Sequence, residues 1–81
     1  METRVAVISI IIENTNIVES LNNLLHEYNQ YIIGRMGIPY REKNINIIAI
    51  AIDAPADKIN ALTGSLGRIP EITAKAAYSK V

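Results

Sequence analysis

Two segments of this chain are apolar on both sides of an extended backbone, and that restricts where they can lie. Between Val5 and Ile12 one set of alternate positions carries Ala6, Ile8, Ile10 and Ile12, and the other carries Val5, Val7, Ser9 and Ile11. Between Ile45 and Ile52 the two sets are Ile48, Ile50 and Ile52 against Ile45, Ile47, Ala49 and Ala51. Successive side chains of a strand point to opposite faces. Neither segment therefore offers a face suited to water, and both are expected in the middle of a sheet. Their β-branched content suits a packed, pleated surface.

The remaining elements arrange themselves around this pair. Strand one runs from about Arg4 to Glu13. Asn14-Thr15-Asn16 follows it, and Asn16 with Glu19 has the spacing of a capping box. The helix beyond places Ile17, Leu21, Leu24, Leu25 and Tyr28 on one stripe, with Glu19, Asn22, Asn23 and Glu27 turned away. Strand two, Gln30 to Met36, is joined to strand three by a turn-rich loop, Gly37 to Asn44. Asp53 and Pro55 are expected to start a second helix, Ile59, Leu62 and Leu66 form its stripe, and Gly67 with Pro70 ends it. Strand four, Glu71 to Lys80, alternates as an edge strand does, with lysines guarding against stray pairing.

The order β-α-β-β-α-β, with strands one and three apolar and two and four more polar, predicts one α+β domain over residues 1–81. The expected fold is ferredoxin-like βαββαβ: a four-stranded antiparallel sheet of order 4-1-3-2 with two helices on one face. A parallel βαβ sheet fits worse, because the link between strands two and three is too short and polar for a crossover helix. Helices on one face leave the other uncovered, and the central strands are apolar there too. A chain of 81 residues buries only about 60% of its unfolded surface. A homo-oligomer, dimer or tetramer, built through the helix-free sheet face is therefore expected.

Charge and composition narrow the function classes. Lys plus Arg equals Asp plus Glu, eight each, so no global field draws in nucleic acid or an anionic membrane, and direct nucleic-acid binding is not expected. There is no cysteine, hence no disulfide, thiolate nucleophile or Cys-ligated metal. No apolar run approaches the ~20 residues of a membrane helix. These readings point to a soluble, cytoplasmic protein with no membrane association and no cofactor.

The string Gly34-Arg35-Met36-Gly37-Ile38-Pro39-Tyr40-Arg41 is the most unusual stretch. Its glycines permit close approach, Arg35 and Arg41 offer planar donors for carboxylate or phosphate, and Tyr40 offers a ring and a hydroxyl. Gly34, Arg35, Gly37, Tyr40 and Arg41 are thus candidate binding residues for a small anionic effector. The competing reading is that glycine and proline shape a hairpin loop and the arginines are solvated or pair with Glu42. His26 is the lone histidine; no metal-ligating set accompanies it within the chain, and a site assembled across a symmetry axis stays open. Ser9, Ser65 and Ser79 have no His and Asp arrangement around them, so no catalytic residue is assigned. Tyr28, Tyr31, Tyr40 and Tyr78 do not form an RNA-stacking platform, because strands one and three are aliphatic. Gly64 to Gly67 closes a helix and does not open one, as a phosphate loop would.

The chain resembles a known family over nearly its whole length. Arg4-Val5-Ala6-Val7, Leu24-Leu25-His26-Glu27-Tyr28, the Gly34 to Arg41 string, Asp53-Ala54-Pro55 and Ala77-Tyr78-Ser79-Lys80 are similar to the small ACT-like proteins assigned as transcriptional regulators of the iron-only hydrogenase system. The Gly-Arg-Met-Gly-Ile-Pro-Tyr-Arg string is the specific part. Resemblance to ACT domains and to the C-terminal domain of the nickel-responsive repressor implies a βαββαβ oligomer. Nickel sensing does not carry over, since His26 stands alone without cysteine. What the resemblance implies is a non-enzymatic regulatory or ligand-sensing module. The alternatives are a structural module that partners a separate DNA-binding polypeptide, and a small oligomeric enzyme using Tyr40, Arg41 or His26 at an interface.

Overall fold

The computed structural model describes residues 2–13 and 15–80. Strand β1 (Arg4–Ile12) leads through a 3-10 turn, Thr15–Ile17, into helix α1 (Val18–Glu27). A second 3-10 turn, Asn29–Tyr31, precedes β2 (Ile32–Tyr40), and a third, Arg41–Lys43, joins it to β3 (Ile45–Ala54). Helix α2 (Ala56–Gly67) and strand β4 (Ile72–Tyr78) complete the order. The strands form one antiparallel sheet, β2-β3-β1-β4. This is the ferredoxin-like arrangement, with the two double-faced strands at its centre.

Register explains the core. Ala6, Ile8 and Ile10 stand opposite Ile52, Ile50 and Ile48 on β3, and Ile8, Ile10 and Ile12 stand opposite Ala76, Ala74 and Ile72 on β4. These rows share one face and pack with Leu21 and Leu25 of α1 and Ile59, Leu62 and Leu66 of α2. Both helices therefore lie on that face, and their stripes match the expected ones. Ile17, Leu24 and Tyr28 pack at the margin of the core. Tyr78 at the end of β4 donates its hydroxyl proton to Asn60 Oδ1 of α2 at 2.6 Å, and the Arg4 guanidinium lies over its ring, 4.5 Å from the centroid.

Several local expectations are corrected. Helix α1 is entered through the 3-10 turn with Ile17 at its N-cap and no side-chain cap bond. Asn16 thus sits inside that turn, outside capping-box position, and Asn14 falls outside the described residues. Asp53 belongs to β3, and Pro55 occupies the N-cap of α2 with no side-chain cap bond. Helix α2 does end at Gly67, as expected, but without a left-handed glycine; among the described residues the left-handed ones are Asn44 (φ 56) and Glu71 (φ 68). Glu71 holds that strained conformation while its carbonyl accepts from the Glu13 N–H at 2.9 Å, tying the entry of β4 to the end of β1. The largest correction concerns β2, which continues to Tyr40. The first half of the expected loop, Gly37 to Tyr40, is strand, and the reversal is made by Arg41–Lys43 with Asn44 in the left-handed region. Pro39 is tolerated because β2 is an edge strand, paired on one side only.

Ile10 is fully buried on the central strand. Ile10→Ala is expected to cost about 2–5 kcal/mol in chemical denaturation. Glu71→Gly, which relieves a left-handed side-chain penalty, is expected to stabilise by roughly 0.5–1 kcal/mol in the same assay.

Candidate functional site

The Gly34 to Arg41 string lies almost entirely in the edge strand β2, so alternation divides its side chains between two faces. A β-bulge sets the phase. Ile32 pairs with Ile52, but Gly34 pairs with Ala51, which leaves Ile33 as the extra residue, 64% exposed. Beyond it Gly34, Met36, Ile38 and Tyr40 stand opposite Ala51, Ala49, Ile47 and Ile45 on the helix-free face. Arg35, Gly37 and Pro39 stand opposite Ile50, Ile48 and Asn46 on the helix side. The candidate set is therefore not one cluster. Arg35 and Arg41 are separated by about 20 Å of extended chain, Arg41 is exposed in the 3-10 turn, and the Tyr40 hydroxyl donates to Glu42 Oε2 at 3.0 Å.

On the helix-free face Val5, Val7, Ile11, Met36, Ile38, Tyr40 and Ile47 are each between 38% and 57% exposed. A shallow apolar groove of about 350 Å³ runs across it, lined by Val7, Gly34, Met36, Ala49 and Ala51 and bordered by Arg35, whose guanidinium turns away to bond Asn22 on the other side. Its depth comes from small residues: a Cβ built on Gly34 would meet nothing within 4 Å, and the residue does not need a glycine-only backbone. Nothing inside the chain therefore requires glycine at this position. A glycine in a strand interior often marks a place where another backbone approaches closely.

On the helix side, Asn22, Leu25, His26, Asn29, Ile32 and Arg35 line a cleft of about 110 Å³ between α1 and β2. Asn22 and His26, spaced i and i+4, lie on the stripe of α1 bordering the edge strand, and Asn29 joins them from the 3-10 turn that follows the helix. Arg35 Nη2 donates to Asn22 Oδ1 at 3.0 Å. Sequence reasoning assigned Asn22 to the outward face of the helix and treated His26 as isolated. The available signal was that stripe, but its meaning depends on which strand packs beside it. No group of three or more His, Asp or Glu residues capable of holding a metal occurs among the described residues. No helix among them is long and apolar enough to cross a membrane.

Comparison with known proteins places this geometry in a family. Residues 4–76 match the TM1266-like family model, described as "Iron-only hydrogenase system regulator, putative". The chain belongs to the TM1266-like family. Among solved structures, the uncharacterized protein TM1266 from Thermotoga maritima matches with a TM-score of 0.93 and 32% identity, over 98% of this chain and 100% of that one. No curated protein matches the chain. Family membership supplies the regulatory description at the level of the family, and the fold is shared along essentially the whole length.

Because Arg35 and Arg41 are far apart and lie on separate surfaces, the stability effects of Arg35→Ala and Arg41→Ala are expected to add within about 0.5 kcal/mol in a double-mutant cycle. A larger coupling energy would place them in one site.

Proposed function

We propose that this TM1266-like chain is a non-enzymatic, cytoplasmic regulatory module of the iron-only hydrogenase system. It works as a homo-oligomer assembled through the helix-free sheet face and responds to a small-molecule effector. The family description supports the regulatory part. The observation that carries the assembly is the open face itself: two central strands and one edge strand present half-exposed aliphatic side chains around a groove floored by Gly34, Ala49 and Ala51.

Magnitudes favour a second copy there. The chain exposes 5498 Å², against ~4,800 Å² for a folded monomer of its mass. The excess, about 700 Å², is close to one partner's share of a standard interface, ~800 Å². Burying each half-exposed aliphatic side chain gains about 1 kcal/mol. Val5, Val7, Ile11, Met36, Ile38 and Ile47 counted on both subunits supply about 12 kcal/mol, comparable to the ~4–15 kcal/mol of lost translational and rotational freedom. Met36 and Ile38 beside a glycine and alanine floor supply projections and a recess on one surface, which a two-fold axis brings into register with itself.

Sedimentation velocity at micromolar concentration is expected to show a dimer or larger for the parent chain. It is expected to show a folded monomer for Met36→Asp and Gly34→Val, with unchanged circular dichroism. A parent chain that sediments as a monomer throughout the micromolar range would overturn the assembly. Deleting the gene in its native cell is expected to change iron-only hydrogenase transcript levels, and unchanged levels would remove the regulatory reading.

A further inference from the structure

We infer that the cleft between α1 and β2 is a binding site for a small oxyanion of the phosphate class, held by Arg35 from the strand, by Asn22 and His26 from the helix and by Asn29 from the 3-10 turn that follows it. The site lies within one chain, on the side of the sheet opposite the proposed assembly face. All of its donors come from one chain, so it does not require self-association.

The donor set comes first. Arg35 carries five N–H groups in a planar fork, and the Asn22 bond engages its Nη2 through a neutral acceptor. Among the described residues no carboxylate lines the cleft, so the guanidinium charge is oriented there without a counter-charge in that lining. With Asn22 Oδ1 accepting from Arg35, the Asn22 Nδ2 group remains as a donor beside it. His26 adds a ring N–H one turn further along α1, and Asn29 adds an amide from the turn beyond it. Donors thus reach the space from two elements, which suits a group with several acceptor oxygens on different sides.

Shape and backbone agree with this chemistry. Leu25 and Ile32 supply an apolar floor, which excludes water from one side and strengthens the polar contacts. A volume of about 110 Å³ accommodates a few water molecules and hence a group of tetrahedral-oxyanion size. The Ile33 bulge is what turns Arg35 toward α1; in unbroken register Arg35 would stand opposite Ala49 on the helix-free face. Bulges of this kind re-aim a side chain beside functional sites.

The test is a titration of the full chain with inorganic phosphate at constant ionic strength, followed by ¹H–¹⁵N correlation spectra. Saturable shifts are expected over residues 22–35. Arg35→Met and His26→Leu, both at exposed positions, are each expected to weaken binding about tenfold or more, while Arg41→Met leaves it unchanged. A parallel titration with glycerol phosphate separates the sources of the anion: tighter binding identifies the phosphate group of a larger metabolite, and equal or weaker binding identifies the free ion. Shifts that fail to saturate and spread over all surface lysines and arginines, or an Arg35→Met variant that titrates like the parent, would overturn the site.

Discussion

The structure depends on one mismatch. Its two central strands are apolar on both faces, and the chain supplies helices for only one of them. Helices of ten and twelve residues are about 15 and 18 Å long, whereas strands of nine or ten residues extend about 30 Å. Even on the covered side, then, the helices shield only part of the sheet. They cover the face that carries the fully buried isoleucines of β1 and β3, with α2 lying mainly beside β4. What is left over is the opposite face and most of β2, where only Ile32 is partly withdrawn from solvent.

That leftover strand is where the unusual residues collect, and the coincidence has a physical reason. Residues in the core of an 81-residue domain are committed to filling volume, and a buried position leaves little freedom for glycine, proline or arginine. An edge strand uncovered on both faces carries no such commitment. One side of β2 presents Gly34, Met36, Ile38 and Tyr40 to the open surface, and the other presents Arg35, Gly37 and Pro39 toward the helix side. A single stretch can therefore take part in two separate surfaces, one apolar and one polar.

The parts of the fold visible in the sequence are those governed by period and polarity. The core face of β1 and β3, the helical stripes led by Leu21, Leu25, Ile59, Leu62 and Leu66, and the alternation of β4 all emerge from spacing alone, because burial of apolar area is the largest favourable term. Capping residues locate the helix starts poorly because capping propensity is worth only ~1 kcal/mol, and strand pairing outweighs it. Asp53 is held in β3 opposite Val5 and cannot cap α2. The sequence understates the length of β2 because Gly37 and Pro39 are loop-forming residues, and only pairing with Ile48 and Asn46 makes them strand.

By itself the sequence determined the element order, the central position of strands one and three and the side chains of the core, since those follow from periodicity over many residues acting together. Only the tertiary structure decided the faces of the Gly34 to Arg41 string. That choice rests on one extra residue, Ile33, at the bulge in β2. Shifting a strand by a single position exchanges its two sides at almost no cost in composition or pattern, so no count of residues reveals it. The same step brings Arg35 beside Asn22 and His26 and leaves Gly34 to form the apolar groove.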